Sequence, residues 1–409
     1  MASRGKPLHF FLISTGSWFL SYGLQGVTFA WLVTIVLREP AEMVGIAQMT
    51  LLAPVMFLIL IGGSLADQFG GKPVAIIGQG LAAACALSLA VVIYLDLFSY
   101  SVLLMAAFGL GCAQAIVTPA RDGLLPLVAE GRIQRTVVLS TMTQFAIMML
   151  GFFIASFADR SGAVVILVIQ GAVLLVGVGA LAKIDAPRVR PVAREHHIIK
   201  HIWLSIAIGM QTVKRTPATR AVLIINCAMG LFFMSSYMVT MPLLLREVYG
   251  GGSTLLSWTN LANSGGLVFM IICLMRIGDI RRQGRALLVS HCVGALGLAS
   301  AALATGFVSL FVSVALWGLA GGLSVTTSRS IVQELSPPDQ RARVMALFSF
   351  SYMGAGPIGA LFSGYMAAWL GPATALLCSA TAMMIVVVLV AAFSSLWKLD
   401  MQQVPVADQ

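Results

Sequence analysis

An all-α polytopic membrane protein, with twelve transmembrane helices in two six-helix halves, is the fold class the sequence predicts, and three observations carry it. The chain has 409 residues, of which 59% are hydrophobic and 10% charged, with a mean hydropathy of +0.95; soluble domains carry roughly 25% charged residues. Its apolar runs reach the length of about 20 residues that a helix needs to cross a hydrocarbon core of about 30 Å. Twelve such runs follow one another with short breaks, and runs of this length exclude a barrel, whose strands are short and alternate.

The first six runs lie near 9–37, 43–66, 73–95, 98–120, 136–158 and 161–183. Arg4 and Lys6 precede the first of them, as in a signal peptide, but the apolar run is too long and lacks a cleavage-type end, so it is read as a span. Residues 184–218 then turn polar and basic and are punctuated by Pro187, Pro191 and Pro217. Six further runs lie near 219–245, 254–276, 285–306, 308–329, 342–368 and 372–396. The chain thus divides into an N-terminal half (1–183), a cytoplasmic basic linker (184–218) and a C-terminal half with a short cytoplasmic tail (219–409).

Placing the N-terminus in the cytoplasm puts all but Arg38, Arg160 and Arg246 of the 25 Lys and Arg residues on the inner side. That segregation sets the orientation, with both termini and the linker inside. It also accounts for the formal charge of +10 without a nucleic-acid partner. The expected location is a bacterial cytoplasmic (inner) membrane. Six scattered cysteines, without metal or redox spacing, read as small apolar packing residues.

The halves repeat each other. Arg121 and Arg135 flank the break after the fourth run, Arg329 and Arg343 flank the break after the tenth, and Gly151 matches Gly359 at the same offset of 208. A parallel repeat of this kind places a substrate site near the midplane between the halves. In the linker, residues 197–213 put Ile198, Ile199, Ile202, Ile206 and Met210 on one side of a helix, with Lys200, His201 and Lys214 turned to the other, as on an inner-leaflet amphipathic helix. His197 and His201 have metal-compatible spacing but no facing acid, and a basic surface helix is the preferred reading. No cofactor and no metal is implied.

The stretch Gly63-Ser64-Leu65-Ala66-Asp67-Gln68-Phe69-Gly70-Gly71-Lys72 reads as a tight turn between the second and third runs. It resembles the signature loop of the major facilitator superfamily: Gly63, Leu65, Ala66, Asp67, Gly70 and Lys72 match, while Gln68 and Gly71 stand where basic residues are usual. A degenerate copy, Gly278 to Arg285, occupies the equivalent break in the second half. The resemblance covers essentially the whole chain. Thr118-Pro119-Ala120-Arg121 and the segment 332–364 are similar to the subgroup containing macrolide-efflux proteins and the enterobactin exporter, which implies export.

The resemblance also implies a conformational latch, formed by the acid of the signature loop with a helix end and neighbouring basic residues. The matching positions are Gly63, Asp67, Gly70, Lys72, Arg121, Asp122, Asp279 and Arg329. Charge-assisted bonds of about 1–3 kcal/mol suffice to bias two states. The alternative for these charges is a solvated topogenic turn.

Polar and aromatic residues recurring at helical spacing mark a substrate cavity: Trp18, Ser21, Tyr22 and Gln25, then Gln114 and Thr118, then Thr141 and Gln144. From the second half come Asn226, Phe233 and Tyr237, then Asn260 and Asn263, Ser324 and Thr327, and Ser349 with Tyr352. Taken singly, each is equally well a helix–helix hydrogen bond of roughly 0.6–2 kcal/mol; together they suit an amphipathic solute. None of the fifteen Asp and Glu residues lies at a span centre. If protons drive transport, the acids placed to carry them are Asp67, Asp122 and Glu334 near the inner face. Gly318 and Gly322 form a close-packing pair, and Gly354 to Gly359 combines small residues with Pro357 in the eleventh run.

The expected protein is a secondary transporter that exports a drug or siderophore by alternating access. Its partners are the small-molecule substrate, the bilayer and, in the coupled case, protons, and it is expected to be a monomer. A lipid or lysolipid transporter is the alternative on the same fold. A membrane-embedded receptor, scaffold or enzyme is the alternative of another class, and the chain has no HExxH, no GxSxG and no acid pair in a span.

Overall fold

The computed structural model describes residues 6–129, 133–184, 208–278, 280–337 and 340–399. Twelve helices among them are long and apolar enough to cross a membrane. In the first half these are α1 (Pro7–Val36), α2 (Ala41–Phe69), α3 (Gly71–Tyr94), α4 (Tyr100–Val128), α5 (Ile133–Ala155) and α6 (Ala163–Ala182). The second half contributes α7 (Pro217–Glu247), α8 (Ser253–Ile277), α9 (Gln283–Ala302), α10 (Phe307–Leu335), α11 (Arg343–Leu370) and α12 (Pro372–Phe393). Large apolar side chains cover their outer faces, and Tyr94, Trp369 and Phe393 stand exposed at helix ends, where aromatic rings suit a membrane–water interface.

Contacts group the chain into two compact units. The first holds the described residues up to 184 together with Leu245–Leu261; the second holds those from 208 to Leu244 and from Ala262 onward. The stretch Leu245–Leu261, which runs from the last residues of α7 into the start of α8, therefore belongs to the first unit.

Packing inside each unit follows one scheme. In the first, α1 packs on α5 and α6, α3 on α4 and α6, and α2 on α4. In the second, α7 packs on α11, and α9 on α10 and α12. Backbone contacts repeat with the sequence offset: a Cβ on Gly151 would meet the Leu20 carbonyl oxygen and Gly23, and one on Gly359 would meet the backbone of Leu231. Gly23 and Leu231 are themselves 208 residues apart. The pair Gly318 and Gly322 lets α10 approach α8, since a Cβ on either would collide with the carbonyl oxygen of Asn263 or Leu267.

Several boundaries differ from the sequence reading. The expected turn over Gly63 to Lys72 shrinks to one residue: α2 stays helical to Phe69, Gly70 takes φ +87°, and α3 starts at Gly71. Glycine has no Cβ to oppose that backbone angle. Gly278, 208 residues on, breaks the chain after α8 with φ +82°. Helices α4 and α10 run past their apolar segments to Val128 and Leu335, so Arg121, Asp122, Arg329 and Glu334 lie on helix. The eleventh span breaks after Met353 at Gly354, where glycine and the nearby Pro357 weaken the helical ladder.

Two irregularities had no sequence signal. The end of α1 (Leu32–Val36) is π-helical, and so are Met229–Met234 and Ser236–Thr240 within α7. Of the expected linker helix, residues 208–215 are helical, while His197, His201 and the remainder lie outside the described residues.

A polar pocket in the first unit and a buried histidine in the second

Residues at positions 18, 21, 22 and 25 fall on one face of a helix because they are spaced by three and four. On α1 this face carries Trp18, Ser21, Tyr22 and Gln25, and with Ala82 of α3 and Leu110 and Gln114 of α4 it lines a narrow concavity of about 10 Å³, room for about one water molecule. The Tyr22 hydroxyl and the Gln114 side chain are hydrogen-bonded across it. Two aromatic rings, two carboxamides and two hydroxyls thus share one wall system, and no charged side chain lines it. Such a surface offers apolar area with a few orienting hydrogen bonds.

Behind the pocket lies a network the sequence reading missed. Gln79, fully buried on α3, donates through Nε2 to Ser17 Oγ at 2.7 Å and to the Leu174 carbonyl at 3.1 Å. The Ser14 hydroxyl donates to Gln79 Oε1 at 3.4 Å. The network joins α1, α3 and α6 and fixes the face that carries Trp18 and Ser21. A lone glutamine in an alanine-rich run gives no periodic signal.

Other expected cavity residues have local duties. Thr118 Oγ1 donates to the Gln114 carbonyl at 2.9 Å, one turn along α4 from the pocket. Gln144 is half-buried on α5 and does not line it. In the second unit, Asn226 Nδ2 donates to the Phe348 carbonyl at 2.8 Å and to Ser351 Oγ at 2.9 Å, stapling α7 to α11. Asn263 Nδ2 reaches the Val314 carbonyl at 3.3 Å, while Asn260, in the stretch that belongs to the first unit, donates to the Leu256 carbonyl one turn away. Tyr352 is half-buried on α11. Tyr237 packs edge-on against Trp317 at 5.8 Å.

The latch positions are partly visible. Gly63 lies beside Pro119 of α4 at ordinary contact distance. Lys72 Nζ donates to the carbonyls of Ala182 and Ile184, at 2.9 and 2.7 Å, where a cation complements the C-terminal end of α6. Arg121 is buried, with its guanidinium 5.4 Å over the Phe19 ring, while Asp122 and Arg329 are exposed. Glu334 accepts from Ser330 at 2.5 Å and from Gln283 at 3.3 Å, bridging α10 to the start of α9. The Asp67 side chain and Asp279 lie outside the described residues.

The largest omission of the sequence reading is His291. Acids in spans are the familiar marker of intramembrane ionisation, and this histidine sits mid-span on α9 with 1% exposure. Its Nδ1 is 2.9 Å from the Leu287 carbonyl and its Nε2 is 3.0 Å from Ser324 Oγ. The ring stacks on Phe233 with centroids 6.1 Å apart, and Phe233 in turn meets Trp317 edge-on at 5.8 Å.

A family model described as Major Facilitator Superfamily matches residues 11–360, with a second match over 234–399. No curated protein matches the chain. Among solved structures, the nucleoside transporter NupG aligns at 15% identity with a TM-score of 0.71, covering 96% of this chain and 99% of that one. A POT family transporter in complex with 5-aminolevulinic acid aligns at 12% identity and a TM-score of 0.76, covering 95% and 96%. A bacterial homolog of the human lysosomal transporter Spinster aligns at 12% identity and a TM-score of 0.68, covering 97% and 98%. At these identities the structures establish the fold, and the family model spans most of the sequence. The chain is a multi-pass integral membrane protein and belongs to the Major Facilitator Superfamily of membrane transporters.

Proposed function

We propose that this transporter exports an amphipathic small molecule of the drug or siderophore kind, by proton-coupled alternating access, across a bacterial inner membrane with both termini in the cytoplasm. The observation that carries the reading is the pocket of Trp18, Ser21, Tyr22, Gln25 and Gln114. Its aromatic faces offer apolar contact and its amides and hydroxyls offer hydrogen bonds, the pairing an amphipathic solute needs, and the narrow cleft must widen during the transport cycle to admit one. The direction of transport rests on the resemblance to the macrolide-efflux and enterobactin-exporter subgroup.

The test is flux of a labelled macrolide, a labelled catecholate siderophore and a labelled lysolipid in proteoliposomes of the full-length protein. Export of either of the first two, weakened about tenfold or more by Gln114→Ala, supports the reading; tenfold corresponds to about 1.4 kcal/mol. Movement of the lysolipid alone would replace it with a lipid transporter. Asp67→Asn tests the latch: a folded variant is expected to transport more slowly, and an unchanged rate removes the latch from the mechanism.

A further inference from the structure

Arg121 and His291 are the two buried side chains of the Asp, Glu, Lys, Arg and His classes among the described residues. Arginine keeps its charge throughout the physiological range. Histidine is the side chain that changes charge near neutrality, and an ionisable group within a span marks a site of function by default. His291 is nine residues into the twenty-residue α9, far from either end.

The contacts of the ring fix the proton on one of its two nitrogens. A carbonyl oxygen only accepts, so the Leu287 carbonyl at 2.9 Å requires a proton on Nδ1. The Nε2 lone pair is then free to accept from the Ser324 hydroxyl at 3.0 Å. That is the arrangement of the neutral imidazole; in the protonated one Nε2 donates to the same oxygen. The Ser324 oxygen is also 4.0 Å from Sγ of Met229, so its hydroxyl has a second acceptor in reach.

We propose that His291 is the binding site for the coupling proton, and that its protonation is linked to movement of the π-helical segment Met229–Met234. A proton arriving at Nε2 turns that nitrogen into a donor. Ser324 Oγ must then accept from it, and the hydroxyl rotates to donate toward Met229 Sγ. Met229 begins the π-helical segment and Phe233, whose ring covers the imidazole, lies within it. Phe233 is 7% exposed and His291 1%, so a proton reaches the ring only when its packing opens, with that opening assigned to the segment that carries Phe233. Proton binding and segment motion are linked in this scheme through Ser324 and Met229, and π-helical turns within helices occur frequently at functional sites.

Among the described residues, no charged side chain contacts the ring. On α9, Arg285 donates to the Trp397 carbonyl at 3.0 Å, and Cys292, next to His291, is half-buried. On α10, Arg329 and Glu334 are exposed, five and ten residues beyond Ser324, about 7 and 15 Å along a helix. On α12 the titratable residue is Cys378, and on the following turn it is Lys398. Met229–Met234 has none. The rest of α7 holds Arg220, Cys227, Tyr237, Arg246 and Glu247, of which Tyr237 contacts Trp317 and Arg246 pairs with Glu247 at the helix end.

This inference rests on the reading of the protein as a proton-coupled exporter, and its first test needs no substrate. Full-length protein with ¹⁵N-histidine and ¹³C-methyl-methionine is titrated in nanodiscs from about pH 8 to about pH 4, His291→Gln identifying the ring signals and Met229→Leu the methyl signal. The ring is expected to pass from the Nδ1–H tautomer to the doubly protonated form, with the Met229 methyl shifting at the same midpoint. Ser324→Ala is expected to uncouple the two. A ring that stays neutral over the whole range, or one that titrates without moving Met229, overturns the proposal.

The second test is efflux of a labelled macrolide under an imposed gradient of about one pH unit, tenfold in proton concentration. Wild type is expected to accelerate about tenfold, and a folded His291→Gln variant less than twofold. Equal acceleration in both overturns the proposal. Absence of macrolide flux in wild type tells against the export reading alone, and the titration then decides the role of His291.

Discussion

The indole N–H of Trp31 donates to Oδ1 of Asp159 at 2.7 Å, tying the end of α1 to the turn between α5 and α6. The same carboxylate accepts from the Thr254 backbone N–H at 3.4 Å, and the Asp159 backbone N–H donates to Ser253 Oγ at 3.0 Å. Ser253 and Thr254 also donate to the Ser156 carbonyl at 3.2 and 3.0 Å. A Cβ on Gly252 would collide with the Asp159 carboxylate. Asp159 is thus the residue on which Leu245–Leu261 is seated within the first unit.

Asp159→Ala removes acceptors for Trp31 and Thr254, and hydrogen bonds to a charged group contribute about 1.5–3 kcal/mol each in favourable sites. Amide hydrogen exchange over residues 250–256 is expected to quicken by about tenfold or more, with little change in α3 or α6. Unaltered exchange there would show that the seat is held by something else.

Arg246 makes a second attachment on the same stretch. Its Nη1 donates to the carbonyls of Glu39 and Thr34, at 2.7 and 3.3 Å, and its Nη2 pairs with Glu247 at 2.7 Å. Lysine cannot reproduce this fork of donors. Arg246→Lys is expected to loosen residues 245–249 in the same exchange experiment, by less than Asp159→Ala does at 250–256. An effect of Arg246→Lys on the larger scale would reverse that order.

The repeated glycine contacts predict paired destabilisation. Ala at Gly151 or Gly359 pushes a methyl into the backbone of α1 or α7, and overpacking of this kind costs typically about 1–3 kcal/mol. Gly179 has open space around its Cβ position, so Gly179→Ala is expected to leave thermal unfolding in detergent within about 0.5 kcal/mol of wild type. Matching losses at 151 and 359 with none at 179 confirm the symmetry of the packing; a loss at only one of the pair refutes it.

Gln79→Leu tests the network beneath the pocket. It leaves the Leu174 carbonyl and the Ser14 and Ser17 hydroxyls without their shared partner, and bonds of this kind within membranes contribute about 0.6–2 kcal/mol. A lower unfolding temperature is expected together with weaker binding at the pocket, since Ser17 adjoins Trp18. Gly177→Ala should act alike, because its Cβ would fall on Gln79 Nε2 and Ser17 Oγ. Full stability of both variants would mean the network is dispensable.

The sequence by itself determined the number and order of the spans, because burying unpaired backbone groups in hydrocarbon is so costly that only long apolar helices qualify. It also set out the stripe at positions 18, 21, 22 and 25, since helical periodicity is a local property, and the 208-residue repeat later visible in Gly70 and Gly278. Tertiary structure decided what chain spacing cannot carry. Asn226 faces a backbone carbonyl on α11, Gln79 lies under the pocket, and His291 meets a serine 33 residues away. A polar residue in an apolar run reads the same whether it lines a cavity, staples two helices or holds a proton. Only the partner brought to it by packing distinguishes these roles, because a buried polar group is defined by what satisfies it.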